Sequence, residues 1–237
     1  MKFNDKVLKI SRWDSYSAVI FILAVLFQVL KWRLLPIFLD IYYHLLTAAG
    51  FNEAGGWVYH CFWEYAPIGR PQLYPPLLHI ITLLLIKLGI PIMIIGKFIQ
   101  CIMYPLVLFT IWYVVRKLFD KRQAFFTLIM LFSIYSFYLT TVIASAASLS
   151  FIACLFSLLF FERNKIIPSL FLLALGLYAH GYTAWIFVGY FLVYAVLCKK
   201  SLKRCLAVVG VALGLASPFL IFQLRHIGYF HFQRNIM

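Results

Sequence analysis

Apolar stretches long enough to cross a bilayer recur along this chain, at about 15–35, 76–90, 92–115, 123–142, 146–161, 166–182, 183–198 and 205–223. A helix rises about 1.5 Å per residue and the hydrocarbon layer is about 30 Å thick, so a crossing needs roughly 20 such residues. Inside lipid each backbone N–H and C=O must find its partner within the protein, and runs of this length meet that demand as helices. Composition agrees. The chain is 65% hydrophobic and 12% charged, where soluble domains carry about a quarter charged residues. The expected fold is an all-α polytopic membrane protein, one transmembrane domain over 1–237 without a soluble domain. The first run is too long for the core of a signal peptide and lacks a small-residue cleavage site, so it reads as an anchor that stays.

The segment 76–90, "PLLHIITLLLIKLGI", is short, opens on proline and contains His79 and Lys87. It suits a re-entrant or interfacial helix better than a crossing. Charge supports that choice. With 76–90 not crossing, the N-terminus, "RKLFDKR" (116–122), "ERNK" (162–165) and "KKSLKR" (199–204) share one side and hold 14 of the 21 Lys and Arg residues. Basic residues concentrate on the cytoplasmic side. This gives about seven transmembrane helices, a cytoplasmic N-terminus, an external first loop over 36–90 and an external C-terminus. The net charge of +14 is then a topology signal, and no nucleic-acid partner is expected. The five cysteines lack metal-type spacing, and only Cys61 falls outside, so no disulfide is expected.

The external loop reads as two short interfacial helices joined by an aromatic, Gly- and Pro-rich connection. The first, about Ile37 to Ala49, should end at Gly50 by the usual C-terminal signal. It carries Asp40 and His44 at i and i+4, on one face. Three of the seven acids (Asp40, Glu53, Glu64) lie in this loop, and all six histidines fall on the external side or its border. Further candidates are Glu64 in "WEYAP", Arg70 in "PIGRP", His79 in "PPLLH", His180 at the outer end of the fifth helix, and Arg225 in "LRHIGYFHFQRN". Each has a plainer reading: a helix-surface pair for Asp40 and His44, a solvated Glu64, histidines on a helix face or end, and arginines flanking a span.

The order of motifs resembles the first external loop of the type-C glycosyltransferases, integral-membrane enzymes that use polyprenyl-phosphate-linked sugars. One crossing helix is followed by "DIYYH" (40–44), a Trp-rich connection and "PIGRPQLYPPL" (67–77). The family includes oligosaccharyltransferase catalytic subunits, protein O-mannosyltransferases and the lipid A aminoarabinose transferase. "VVRKLFDKRQAFFTLI" is similar to its second-to-third helix turn, and "LALGLYAHGYTAW" (173–185) to a later helix. The resemblance implies a bilayer-embedded transferase, inverting, with a polyprenyl-phosphate sugar donor and an acceptor bound on the external face. Asp40 would be the central acid, helped by His44 and Glu64, with Arg70, His79, His180 or Arg225 near donor or phosphate. Two roles for Asp40 stand open. It could share a divalent Mn²⁺ or Mg²⁺ with His44 beside the phosphate, or act as general base toward an acceptor hydroxyl.

Several family members carry a second acidic motif in the next external loop, and here that loop, "LTTVIASAASLS" (139–150), has no acid. The acceptor-recognition domain of oligosaccharyltransferases has no counterpart either. These departures motivate an alternative, a catalytically degenerate lipid-binding or partner subunit, with another protein supplying the missing C-terminal domain. A transporter fits less well, because apart from Lys97 the runs lack charged residues at mid-membrane.

Overall fold

The structure, a computed structural model, describes residues 11–37, 39–197, 202–226 and 228. It is nearly all helical. In chain order come α1 (Arg12–Leu30), a 3₁₀ turn (Trp32–Leu34), α2 (Leu39–Glu53), the two-residue strands β1 (His60–Cys61) and β2 (Arg70–Pro71), and α3 (Leu77–Lys87). The helices α4 (Ile92–Leu118), α5 (Lys121–Ser133), α6 (Tyr135–Ile143), α7 (Ser145–Glu162), α8 (Ile166–Ala179), α9 (Gly181–Leu197) and α10 (Leu202–Arg225) follow.

Among the described residues four helices (α1, α4, α7 and α10) are long and apolar enough to cross a membrane, and α5 with α6 makes a fifth if that bent pair is one span. The segment read as one run at 123–142 is two helices meeting at 81°. The first run is also shorter than read: α1 stops at Leu30, and the 3₁₀ turn takes up Trp32–Leu34. α3 has 11 residues, about 16 Å of rise, well short of a crossing.

The distribution of side chains on α1 is that of a helix solvated by lipid. Its buried residues include Ser17 and Gln28, while Ile22 and Leu30 are 64% and 74% exposed. Burying polar groups and presenting branched aliphatics outward is favourable only where the surroundings are themselves apolar.

Two ends of the bundle differ in chemistry. At one end Asp14, at the start of α1, pairs with Arg116 of α4 at 2.7 Å and with Lys121 of α5 at 3.4 Å. The α4–α5 turn (Leu118, Phe119), the end of α7 (Phe161, Glu162) and Asn164 line one cavity of about 440 Å³ with Arg204 of α10. Arg204 also bonds Asn164. The basic clusters that fall within the described residues thus come together at this end. The opposite end gathers α2, the β1–β2 hairpin, α3, the α8–α9 break and the end of α10, where Gln223 Nε2 donates to the Leu73 carbonyl at 2.7 Å.

Two features fix the site's walls. On α4, Gln100 clasps Ile37: its Nε2 donates to the Ile37 carbonyl at 2.6 Å and its Oε1 accepts from the Ile37 amide at 2.5 Å. Between α7 and α8, Ser157 and Ser169 each donate to the other's carbonyl, at 2.8 and 2.9 Å, and Gly176 lies against the Cys154 sulfur. Small residues of this kind let helix backbones approach closely. Farther along, Ser150 Oγ reaches the carbonyls of Gly176 and His180 at 2.9 and 3.2 Å, which fixes the α8–α9 break.

Candidate functional site

Asp40 lies in the first turn of α2 and His44 one turn on. His44 is fully buried while the Asp40 side chain is 35% exposed, so the pair runs from interior to surface. α2 does not stop at Gly50 as expected from sequence. It continues to Glu53, and the left-handed residue beyond it is Gly55, at φ +83°. Gly50 serves close packing instead: a Cβ there would sit 2.6 Å from Trp63 Cε2 and Cε3. Trp63 comes from the aromatic connection, which therefore packs on α2 as a wall.

That connection is held by β1 and β2, paired antiparallel with His60 opposite Pro71 and Cys61 opposite Arg70. The Gln72 amide extends the pairing, donating to the Tyr59 carbonyl at 2.8 Å. Its side chain thereby points inward, 1% exposed. Two residues on, Tyr74 forms the hub of a ring cluster, with centroids 5.0 Å from His44, 5.5 Å from His79, 5.7 Å from Tyr43 and 6.2 Å from His180.

Polar contacts tie these rings into a line. His44 Nε2 lies 3.5 Å from Asp40 Oδ2. His44 Nδ1 and His79 Nε2 are 2.8 Å apart, and His79 Nδ1 is 3.4 Å from Gln72 Nε2. His79, on α3, is wholly buried. Burial, reinforced by the neighbouring His44, holds its pKa well below the ordinary 6.5. Burial also raises Tyr74, with the Asp40 charge beside it, and lifts Tyr43 to about 12, with Glu64 adding to the effect. Neither phenol is an acid at neutral pH.

His79 makes stability depend on pH with a definite sign. An unfolded chain protonates this imidazole near 6.5, while the folded protein resists until far lower. Unfolding therefore takes up a proton below 6.5, and stability falls as pH drops, approaching about 1.4 kcal/mol per unit. Melting of the detergent-solubilised protein between pH 7 and 5 should show at least this slope, with His180, whose pKa burial also lowers, adding to it, and His79→Gln should reduce it. An unchanged slope in the variant would show that His79 is not its source.

The remaining candidates are placed differently. Glu64 and Arg70 form an ion pair with each other, and Arg70 also lies over the Tyr65 ring at 5.5 Å. His180 is the cap of α9: its Nδ1 accepts from the Thr183 amide at 3.3 Å and lies 2.9 Å from the Thr183 hydroxyl, while its ring faces Tyr74. Arg225 is the last residue of α10 and exposed. His231 and Arg234 lie outside the described residues. Among the described residues no three or more His, Cys, Asp or Glu side chains converge as a cation site, and Cys61, Cys101, Cys154 and Cys205 are in no disulfide.

The structure thus brings together Asp40, His44, His79 and His180, and adds Gln72, Tyr74 and Tyr43. Gln72 and Tyr74 stand in the "PIGRPQLYPPL" stretch and Tyr43 in "DIYYH", so the motifs contained them although their side chains were not singled out. Beside the cluster, on the flank of α2, an apolar groove of about 530 Å³ is lined by Tyr42, Tyr43, Leu45, Leu46, Ile92 and Met93. Comparison of the chain with protein-family models, characterised proteins and solved structures gives no match.

Proposed function

We propose that the chain is a type-C-like membrane glycosyltransferase module that moves a sugar from a polyprenyl-phosphate donor to an acceptor on the external face. The observation that carries this reading is the convergence of the two separate motifs, "DIYYH" and "PIGRPQLYPPL", on one buried cluster that opens at Asp40. In this reading seven passes cross the bilayer: α1, α4, the bent α5–α6 pair, α7, α8, α9 and α10. α2 and α3 lie at the external boundary, and the basic end faces the cytoplasm. α8 and α9, with 14 and 17 residues, cross only where neighbouring helices and a thinned bilayer accommodate their length.

Asp40 acts as general base. An acceptor hydroxyl gives its proton to Asp40 Oδ as its oxygen bonds the sugar's anomeric carbon. The bond from that carbon to the phosphate oxygen breaks, and polyprenyl phosphate leaves with the electron pair, inverting the centre. The groove beside Tyr43 offers the isoprenoid chain an apolar bed next to this point, and His180 lies nearby with its half-buried ring toward Tyr74. With Arg70 engaged by Glu64, Arg225, at the end of α10, is the one of these two candidates placed to meet phosphate.

The test is sugar transfer from a labelled polyprenyl-phosphate donor by the purified protein in lipid vesicles. Asp40→Asn keeps the size of the side chain and removes the base. A positioned general base contributes about 10²- to 10⁴-fold, so kcat should fall by at least about 100-fold with KM little changed. Undiminished transfer by the variant overturns the assignment. A second reading, a degenerate partner subunit, is favoured by the acid-free stretch 139–150. Absence of transfer by the wild-type protein, restored on adding a second subunit, would select it.

A further inference from the structure

The line from Gln72 to Asp40 has a direction, and it decides what His44 can do. With the Gln72 amide nitrogen turned toward His79 Nδ1 at 3.4 Å, that ring nitrogen accepts, since a primary amide nitrogen only donates, and the Gln72 Oε1 is then buried without a partner. A neutral imidazole with a bare Nδ1 carries its proton on Nε2. That N–H then donates to His44 Nδ1 at 2.8 Å, which leaves the His44 proton on Nε2, 3.5 Å from Asp40 Oδ2, an electrostatic contact short of a formed hydrogen bond. The opposite end of the line demands the same order. Reversed, it would set the lone pair of a fully buried His44 Nε2 against a carboxylate, two acceptors without a proton between them.

We infer that Gln72 and His79 lock His44 in its Nε2–H form, making it a positioning residue that orients Asp40 and not a metal ligand. Its Nδ1 lone pair accepts from His79 and its Nε2 carries a proton, so no lone pair is left for a cation. A divalent ion shared between Asp40 and His44 would require both imidazoles to exchange their protonated nitrogen and the Gln72 amide to turn over. The hairpin keeps the Gln72 backbone in place through its bond to Tyr59. The hydrogen-bond order stands apart from the transferase reading; only the role it gives Asp40 as a base rests on that reading.

The experiment is ¹⁵N NMR of the histidine-labelled full chain in lipid nanodiscs, where protonated and bare ring nitrogens resonate far apart. Signals are assigned by their loss in His44→Asn and His79→Asn. Both residues should show a protonated Nε2 and a bare Nδ1; a proton on Nδ1 of either overturns the proposal. Gln72→Glu places only acceptor oxygens against His79 and should move the proton to Nδ1 in His79. Wild-type order in that variant overturns the control assigned to Gln72. If Gln72→Glu fails to fold, Gln72→Leu combined with Asp40→Asn, which removes the constraint at both ends of the line, should instead give a mixture of both forms at His79, and an unmixed wild-type signal counts against the proposal. Mg²⁺ at millimolar concentration should leave the His44 nitrogens unshifted, and movement of its Nε2 signal to the bare position would make His44 a ligand after all. A protein that transfers no sugar but shows the expected nitrogens would defeat the transferase reading and leave this inference standing.

Discussion

Gln100→Leu is expected to destabilise the fold by about 2–6 kcal/mol, because it strands the amide and the carbonyl of Ile37 together. Gln100 is buried and makes both bonds, at 2.6 and 2.5 Å. Each backbone group left without a partner costs about 1–3 kcal/mol when buried, and because Ile37 is half-buried the lower part of the range is expected. Gln100→Glu, which keeps an acceptor for the Ile37 amide and loses the donor to its carbonyl, should fall between wild type and Gln100→Leu. Thermal unfolding in detergent measures both. The loss should also reach the site, since Ile37 leads directly into α2, and Asp40 is near that helix's start. A change below about 1 kcal/mol for the leucine variant would mean that the clasp contributes less than its geometry implies.

Gly50→Ala should destabilise by about 1–3 kcal/mol, against the usual trend. Gly50 lies within α2, where alanine ordinarily gains about 0.8–1 kcal/mol over glycine. Here the new methyl would meet Trp63 Cε2 and Cε3 at 2.6 Å, and the indole of a packed wall has little freedom to retreat. Trp63→Leu removes the obstruction at its own cost in burial. In the Trp63→Leu background Gly50→Ala should therefore turn stabilising, so the double-mutant cycle changes sign. Additive effects would place the cost in the backbone instead of the ring.

Much of the molecule was legible because lipid imposes simple rules. Long apolar runs located α1, α4, α7 and α10, and basic clusters picked out the turns that gather at one end. The bend between α5 and α6 was not legible: residues 131–137 read "LFSIYSF", without the proline or glycine that usually marks a kink. Gly50 misled because glycine signals both a helix end and a close approach, and only Trp63, thirteen positions away, decides between them. At the site, Asp40 and His44 could be paired from their spacing on one helix. His79 lies on a different helix and Gln72 on a hairpin strand's continuation, and no local periodicity links either to α2. What joined them is burial of one polar line, which sequence expresses only as a scatter of histidines on one side of the chain.

His180 gives the bundle a mechanical property. Its carbonyl accepts from Ser150 of α7, its backbone ends α8, its ring nitrogen starts α9 and its ring face lies toward Tyr74. One residue is thus a meeting point of three helices and a neighbour of the ring cluster around Tyr74. Any change in the angle between α8 and α9 therefore acts on the same residue that faces Tyr74.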